Sequence, residues 1–585
     1  TKENIMKKNI NRRQILGGLT ATGALACSPQ NSSSYNAQEK NYYGSFLHGV
    51  ASGDPKSDKV IIWTRITPEN PHLGQLNVKW ELSENENFEL ISKSGFFATQ
   101  IARDFTVKID VKNLEADKEY YYRFHFNNNT SPVGKTKTLP EYSVEKANFA
   151  IVSCSNWEHG YFNVYDHISR QEHYDAVIHL GDYYYEYGAG EYEGASETNL
   201  NRIHSPKHEI ITLDDYRLRH AQYRSDNSLQ LLTQKLPLIA IWDDHETSND
   251  SWKSGADNHD LNEGSWTERT HAALRAYYEW MPVREPKPGQ LKSDIFRSFD
   301  WGNLLTLITV ETRLTARAEP LVMEDHFEKI TSPGGADRFK SDILNDPSRE
   351  MFGQNQSRFI INELKKSKSS GTTWRVIANQ VIMGRLLTAD LEPYIDEGSL
   401  SIIEKDWKGV RKSIQLSKYK LPVYPDSWDG YPHAREQFYK ELINERIKDL
   451  IVLTGDAHEF WINDLTSKND EKVGIECVTT SVSSKTMTAY LGENTSDYSL
   501  LLTQANPDAR YYNALHNGYI DFSLSHENGK VKMMGVSTVK SQKYEAFEVA
   551  SFELKRQSET IVATKPKGLN LKQRALFEGF GQSKS

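Results

Sequence analysis

Two kinds of hydrophobic pattern divide the chain. Between residues 45 and 142, short runs of alternating apolar and polar residues are separated by turn-forming residues, for example at 60–64, 76–82 and 120–126. A period of two residues is typical of strands that have one buried face. We therefore predict an all-β N-terminal domain over 45–142, a β-sandwich of the immunoglobulin or fibronectin type that has a structural role beside a neighbouring site.

From residue 147 to residue 552 the pattern changes to apolar strands that alternate with amphipathic helices. Four segments show the 3.6-residue period of such helices: 216–232, 266–280, 358–364 and 434–447. Alternation of this kind predicts an α/β domain, in which helices cover sheets. Residues 553–585 are polar and basic, and we interpret them as a C-terminal tail with an amphipathic patch at 569–577.

The beginning of the chain has the features of an export signal. A basic stretch that contains Arg12 and Arg13 precedes a short, weakly apolar run, and an A-x-A sequence at 24–26 directly precedes Cys27. Residues 1–27 are therefore predicted to be a signal peptide of the twin-arginine type, followed by a linker over 28–44. Cleavage after the A-x-A sequence and lipidation of Cys27 both stay open. Either outcome places the protein outside the cytoplasm, in the periplasm or on the outer cell surface.

Composition excludes several classes of protein. With 12 Trp, 30 Tyr and 22 Phe among 585 residues, the chain has too much to bury for a disordered protein. A net charge of −9 argues against a specific nucleic-acid-binding surface. The mean hydropathy of −0.65 argues against a polytopic membrane protein. The three cysteines, Cys27, Cys154 and Cys477, are too few for a disulfide framework.

Four predicted strands end in residues that bind metals. The apolar runs are 149–153, 176–181, 238–242 and 450–455, and the polar residues that end or follow them are Cys154, Asp182, Tyr185, Asp243, Asp244, His245, Asn249, Asp456 and His458. In open α/β sheets, sites form at the carboxyl ends of strands, so we expect these side chains to share one rim. Taken alone, each residue more often has a structural role: a cysteine packs in the core, an aspartate forms a turn, and a histidine makes structural hydrogen bonds. Together they predict a multinuclear metal site in which Asp182 bridges two cations.

Sequence motifs surround these residues in a fixed order. They are HGVASGDP at 48–55, VIIWTR at 60–65, SCSN at 153–156, HLGDYYYEYG at 179–188, IWDDHETSND at 241–250, ANQVIM at 378–383, DSWDGYP at 426–432, LTGDAHEFW at 453–461 and TTSVSS at 479–484. The combination resembles the PhoD-like alkaline phosphatases, within the calcineurin-like metallophosphoesterases. The resemblance implies a two-sheet α/β metallophosphoesterase sandwich, flanked by helices and preceded by the N-terminal β domain.

The resemblance also implies a set of metals and ligands. It implies Fe³⁺ held by Cys154, Asp182, Tyr185 and His458, and one or two Ca²⁺ ions. Asp182 would bridge to calcium, and the further calcium ligands would be Asp244, Asp456 and Asn249. Thiolate and phenolate suit Fe³⁺, whereas carboxylate and amide oxygens suit Ca²⁺. The chain departs from the family where Glu311, Thr312 and Arg313 replace the common Asp-Thr-Arg, and where residues 246–250 replace Glu-Val-x-Asn-Asn.

The expected reaction is hydrolysis of phosphodiesters and phosphomonoesters through attack of a metal-activated hydroxide at phosphorus. We expect His245 either to hydrogen-bond the phosphoryl or leaving group or to orient Asp244, and Arg435 and Arg224 either to contact phosphate or to be structural. A phospholipase D-like phosphodiesterase with the same metals and a non-catalytic surface binding protein stay open as alternatives. Phospholipid, nucleotide and teichoic-acid-like diesters are all open as substrates.

Overall fold

The computed structural model of the chain describes residues 44–70, 74–192, 200–395, 397–404, 409–488 and 495–567. The expected signal peptide, Cys27, nearly all of the linker and the amphipathic patch at 569–577 lie outside the described residues. Among the residues described, no helix combines the length and the apolar character needed to cross a membrane.

The secondary structure follows the two patterns seen in the sequence. The strands of the N-terminal region are β1 (Gly44–Ser45), β2 (Val50–Gly53), β3 (Lys59–Arg65), β4 (Thr67–Pro68), β5 (Leu76–Ser83), β6 (Ile91–Thr99), β7 (Thr106–Lys112), β8 (Glu119–Phe126), β9 (Asn129–Thr130) and β10 (Gly134–Lys137). The strands that follow are β11 (Lys146–Val152), β12 (Ala176–His179), β13 (Leu238–Ala240), β14 (Arg297–Trp301), β15 (Leu305–Thr309), β16 (Trp374–Ala378), β17 (Leu450–Thr454), β18 (Phe460–Thr466), β19 (Lys472–Val478), β20 (Ala509–Asn513), β21 (Gly518–Ser525), β22 (Gly529–Val536), β23 (Ala546–Gln557) and β24 (Thr560–Ala563). The α-helices are α1 (Asn163–Ser169), α2 (Leu213–Arg224), α3 (Asn227–Lys235), α4 (Trp266–Trp280), α5 (Phe327–Thr331), α6 (Gly335–Phe339), α7 (Gly353–Ser369), α8 (Glu397–Ile403), α9 (Val410–Ser417), α10 (Pro432–Asn444) and α11 (Thr495–Ala505).

Two large sheets carry the fold. The first has the order β24-β23-β22-β21-β11-β12-β13-β2-β3-β7, and the second has the order β14-β15-β16-β17-β19-β18-β20. Strands β11, β12 and β13 are parallel in the first sheet, and β15, β16, β17 and β19 are parallel in the second. The two sheets face each other across a common core, in which Phe149 of β11 meets Trp301 of β14 edge to face at a ring-centroid distance of 4.9 Å.

The alternation of side chains along a strand explains the layers of the sandwich. In β17, Ile451 and Leu453 belong to the core between the sheets, whereas Leu450 and Val452 point to the opposite face and pack with α7 and α10. A strand that is buried on both faces has a continuous apolar sequence, which is the pattern seen at 450–454. Helices α1 to α4 contribute to the core on the first sheet. The predicted two-sheet α/β sandwich flanked by helices is confirmed.

The N-terminal region is all-β, as predicted, and it shares a sheet with the larger region. Strands β5, β6, β8, β9 and β10 form a separate sheet that packs on β2, β3 and β7 around an apolar core. Strand β2, however, pairs with β13 through Gly53 and Leu238, so that the first large sheet continues through both regions. A Cβ atom at Gly53 would lie 2.5 Å from the carbonyl oxygen of Leu238 and 2.4 Å from that of Pro282, so this close approach requires glycine.

Two predicted boundaries differ from the structure. The helix expected over 216–232 is two helices: the first ends at Arg224, and Asp226 begins the second by accepting hydrogen bonds from the N–H groups of Ser228 and Leu229. The tail expected from residue 553 begins within β23, which continues to Gln557 and then pairs with β24. This end of the first sheet is an edge, and charged residues are typical of edge strands, which explains why its sequence suggested a tail.

Candidate metal centre

The strand ends that carry the predicted ligands meet at one place. Strands β11, β12 and β13 of the first sheet and β17 of the second all end there. The ligand atoms of Cys154, Asp182 and His458 lie within 4.8 Å of one another. Those of Asp182, Asp243, Asp244 and Asp456 form a second set with the same spacing. Asp182 belongs to both sets, which is the position expected for a bridging carboxylate.

The backbone turns sharply after three of these strands, β11, β12 and β17. Cys154, Asp182, Asp456 and His458 have φ angles of 62°, 55°, 62° and 59°, in the left-handed region. This conformation costs a non-glycine residue about 1–2 kcal/mol. Strained residues of this kind cluster at functional sites, where the surrounding structure holds them in place. The turn after β11 in the first sheet lies close to the turn after β17 in the second, since a Cβ atom on Gly455 would be 2.4 Å from Oγ of Ser153.

Tyr185 adds a fourth donor group to the set of Cys154, Asp182 and His458. Sγ of Cys154 lies 3.3 Å from Oδ2 of Asp182. The hydroxyl oxygen of Tyr185 lies 3.5 Å from the same Oδ2 atom and 3.1 Å from Nε2 of His458. A thiol, a carboxylate, a phenol and an imidazole from strands of both sheets therefore surround one position.

The hydrogen bonds of His458 direct its Nε2 atom towards the ligand cluster. Nδ1 lies 2.8 Å from the carbonyl oxygen of Lys485. Because a carbonyl only accepts, Nδ1 carries the hydrogen atom, and Nε2 presents its lone pair towards Tyr185. Burial lowers the pKa of His458 to about 4, so the ring is neutral near pH 7. A neutral imidazole that is oriented in this way is the usual form of a metal-binding histidine.

The acidic groups of the centre have the properties of cation ligands. Within the described part of the chain, Oδ1 of Asp182 and Oδ2 of Asp243 are buried and have no hydrogen-bond partner. Burial raises the pKa values of Asp182 and Asp456, and it raises that of the Cys154 thiol well above its ordinary value. Buried anions without a partner are unfavourable, and a bound cation would remove this cost. The residues present therefore fit a metal centre.

A third acidic set lies at the edge of the centre. Asp244, Asp250 and Asp426 also have carboxylate oxygens within 4.8 Å of one another. The N–H group of Asp250 donates to Oδ2 of Asp244 over 2.6 Å. Asn249, the predicted amide ligand, donates its backbone N–H to Oε1 of Glu186 over 2.7 Å. The use of its side chain as a calcium ligand stays a prediction.

A buried glutamate that was not identified from the sequence holds two ligand turns together. The carboxylate of Glu246 accepts hydrogen bonds from the backbone N–H groups of Asp182 (3.1 Å), Tyr183 (2.7 Å) and Asp243 (2.8 Å). These bonds fix the turn after β12 to the turn after β13. The position of Glu246 directly after the Asp-Asp-His motif was the available signal, but a turn of this shape is set by tertiary contacts.

His245 lies at the centre and is oriented by a second glutamate. Its Nδ1 is 2.7 Å from Oε2 of Glu186, which is fully buried. A ring nitrogen of His245 belongs to a ligand-spaced set with Asp182 and Asp244. Burial opposes its charged form, but Asp244, Asp182 and Glu186 together raise the pKa of His245 well above its ordinary value. The sequence analysis identified His245 but not Glu186, although Glu186 directly follows Tyr185.

An aromatic stack extends from the ligands towards the surface. The ring of Tyr185 lies 4.1 Å from that of His245 between centroids. Tyr192 stacks on Tyr185 at 5.3 Å and on Tyr187 at 4.6 Å. Tyr187 and Tyr192 are both partly exposed, so aromatic surface borders the centre on this side.

The two arginines that were candidates for phosphate contact have structural partners. Arg435 is buried on α10, where its guanidinium pairs with Asp429 over 2.5 Å and donates to the carbonyl oxygens of Met383 and Gly384. Arg224 donates to Thr233 and to the carbonyl oxygens of His48 and Val50. The catalytic role expected for Arg435 is therefore corrected to a structural one, because its donors are directed into the core and not to the ligand cluster.

Comparison with known proteins gives a consistent result over most of the chain. A family of PhoD-like phosphatases matches residues 149–533, and the PhoD-like phosphatase N-terminal domain matches residues 30–140. Alkaline phosphatase D of Bacillus subtilis (strain 168) is 32% identical over 536 residues, which cover 88% of this chain and 83% of that protein. A solved structure of PhoD superimposes with a TM-score of 0.72 at 28% identity, covering 95% of this chain and 99% of that one.

The fold and these similarities define an enzyme that hydrolyses phosphoric ester bonds. The chain belongs to the PhoD-like phosphatases, and its activity is that of an alkaline phosphatase of this family. The family likeness expected from the motifs is thereby confirmed.

Proposed function

We propose that the chain is an exported, metal-dependent phosphatase that hydrolyses both phosphodiesters and phosphomonoesters. The observation that carries this proposal is the convergence of Cys154, Asp182, Tyr185 and His458 on one position, with further carboxylates beside it. A non-catalytic binding protein would not require these ligands to converge in this way. The polarity of the site and the absence of a Ser nucleophile motif from the sequence favour direct transfer of the phosphoryl group to water.

The chemistry of the donors suggests which ions the two sets would hold. Thiolate and phenolate donors stabilise Fe³⁺, so we assign iron to Cys154, Asp182, Tyr185 and His458. Carboxylate oxygens suit Ca²⁺, so we assign calcium to Asp182, Asp244 and Asp456. A phenolate bound to Fe³⁺ would give the protein a purple colour. Cations held there would draw charge from the phosphoryl oxygens and make water a competent nucleophile near neutral pH.

His245 is the group of this chain that we assign to the substrate. Glu186 holds its Nδ1, which leaves Nε2 available to donate to a phosphoryl oxygen or to the leaving oxygen. The Glu186 carboxylate beside Nδ1 favours the protonated form that such a donor requires. Donors aimed at developing charge in a buried site contribute strongly to catalysis.

The test is elemental analysis combined with two chromogenic substrates. We expect wild type to contain iron and calcium and to cleave both p-nitrophenyl phosphate and bis-p-nitrophenyl phosphate. Cys154→Ala and Asp182→Ala should lose iron, colour and turnover. Cys477→Ala is the matched control, because Cys477 is equally buried but lies within strand β19 and belongs to none of the ligand-spaced sets.

The same measurements separate the other functions. Turnover of the diester alone would favour a phospholipase D-like phosphodiesterase, whereas a protein with neither metal nor turnover would be a binding protein. Full activity in Cys154→Ala or Asp182→Ala would contradict the assignment of the centre. The proposal that the protein is exported rests on the arginine pair at 12–13 in the predicted signal peptide. Fractionation of producing cells tests it, since the protein should appear outside the cytoplasm.

A further inference from the structure

A buried arginine lies among the acidic groups of the centre. Arg313 follows β15 in the second sheet and is 0% exposed. Its guanidinium reaches four carboxylates: Nε donates to Asp243, Nη1 donates to Asp426 over 2.5 Å, and Nη2 lies 3.4 Å from Asp244 and 3.4 Å from Asp456. These acids come from the turn after β13, from the loop before α10 and from the turn after β17. One side chain therefore connects the ligand turns of both sheets.

The loop that carries Arg313 is itself fixed. The buried carboxylate of Glu311 accepts hydrogen bonds from the backbone N–H groups of Arg313 (2.8 Å), Leu314 (2.7 Å) and Thr315 (2.8 Å). It also accepts one from Nε1 of Trp242, one residue before Asp243, over 3.1 Å. The glutamate that departs from the family sequence thus ties the Arg313 loop to the Asp243 turn.

The four carboxylates do not stand in the same relation to Arg313. Asp243 and Asp426 make short, direct ion pairs with it, and Asp426 pairs with Arg317 as well. Asp244 and Asp456 stand at the longer distance of 3.4 Å from Nη2. Both share a ligand-spaced set with Asp182 and Asp243, and within that set only Asp243 makes the short ion pair with Arg313. The guanidinium therefore neutralises two acids and only orients the other two.

We propose that Arg313 is the positioning residue of the metal centre: it pairs with Asp243 and Asp426 and so leaves Asp182, Asp244 and Asp456 as the carboxylates that bind calcium. This inference rests on the proposed function. Arginine suits the role because its planar group carries five donors in fixed directions and stays charged at any relevant pH. Lysine would keep the charge but could not hold carboxylates in several directions at once.

The test is the affinity of Arg313→Lys for Ca²⁺ alone. Full-length wild type and variant are treated with a calcium-selective chelator, and calcium binding is then measured by titration calorimetry without substrate. Loss of a group that orients metal ligands typically weakens binding about 10–100-fold, and we expect a decrease of this size. The value of kcat for p-nitrophenyl phosphate should fall as well, because the positions of Asp244 and Asp456 are no longer fixed.

Arg435→Lys is the matched control, since Arg435 is an equally buried arginine with a carboxylate partner elsewhere. It should lower stability and leave calcium affinity unchanged. Wild-type calcium affinity in Arg313→Lys overturns the proposal, and so does an equal loss of affinity in both variants, which would indicate a global effect. Failure of the proposed function looks different, because the wild-type protein itself would then bind no calcium.

Arg313→Met gives a second measurement that does not depend on affinity alone. Without the guanidinium, Asp243 and Asp426 lose the cation that lies between them. We expect elemental analysis at saturating calcium to find about one additional calcium ion per chain, bound where the carboxylates have become available. An unchanged number of calcium ions in a folded Arg313→Met protein would contradict the proposal that Arg313 keeps these acids from acting as ligands.

Discussion

A substitution of Arg435 distinguishes a structural role, in the ion pair with Asp429, from a contact with the phosphate of the substrate. The change is Arg435→Met, which keeps a long apolar stem and removes the charge. It leaves the carboxylate of Asp429 without its partner, in a pair whose side chains are only 4% and 3% exposed. It also removes the donor to the carbonyl oxygens of Met383 and Gly384. If the structural assignment is right, stability should fall and catalysis should not.

The magnitude follows from burial. Removing one partner of a buried ion pair typically costs about 3–5 kcal/mol, because the remaining charge is left uncompensated. Asp429 would keep its hydrogen bond from the N–H group of Leu386, which asparagine at this position can also accept. The double variant Asp429→Asn with Arg435→Met should therefore recover part of the loss. We expect a coupling free energy of about 2–3 kcal/mol in the double-mutant cycle.

The assay combines urea unfolding of all four proteins with kcat and KM for p-nitrophenyl phosphate, measured well below the lowest melting temperature. We expect kcat values within about twofold of wild type in every variant that is folded. A donor that contacts charge in the transition state would behave differently, with a loss of about 10²–10³ in kcat. Such a loss at unchanged unfolding free energy would refute the structural assignment and restore the phosphate contact.

Two further predictions concern the metal centre. Glu186→Gln should lower kcat for p-nitrophenyl phosphate about 10–100-fold with little change in KM, because Nδ1 of His245 loses its charged partner. Glu209→Gln is the control, since Glu209 accepts from the same Asn258 amide as Glu186 and should have a smaller effect. Equal effects of the two changes would argue against a specific role for Glu186. Removal of calcium should lower the melting temperature of wild type, since a ligand at about 100 times its Kd stabilises the folded state by about 2.7 kcal/mol. The melting temperature of Asp182→Ala should not depend on calcium. A wild-type melting temperature that is independent of calcium would contradict the use of these carboxylates as ligands.

The sequence predicted the parts of the fold that depend on local pattern. The apolar run of β17 and the positions of Asp456 and His458 after it were correct, because a strand buried on both faces is visible in the sequence. Helix α4 was predicted over the residues that form it. The join between Gly53 and Leu238 was not visible, because a single pair of residues connects strands that lie 185 positions apart.

The contacts that the sequence did not predict are those in which a side chain acts through another. Arg313 and Glu246 were visible in motifs, but they come from turns whose directions depend on how the two sheets pack, so their partners do not follow from spacing. The two roles that the sequence left open for Arg435, phosphate contact and structural, have the same origin. Its motif lies close to ligand motifs in the sequence, but the orientation of α10 directs the side chain to Asp429.

The distribution of charge suits the proposal that this centre combines one fixed cation, the guanidinium of Arg313, with bound metal ions. The acids around Arg313 stand at the meeting point of two sheets, where burial makes each uncompensated charge expensive. Arg313 supplies a positive charge that is covalently part of the chain. Glu311 connects the Arg313 loop to the turn at Asp243, because its carboxylate accepts from the N–H group of Arg313 and from Nε1 of Trp242. Under the proposed function, the remaining carboxylates would be compensated by metal ions that also contact substrate. In this arrangement the strained turns at Asp182 and Asp456 are held by contacts from both sheets, so that the ligand geometry is set by the fold before any ion or substrate binds.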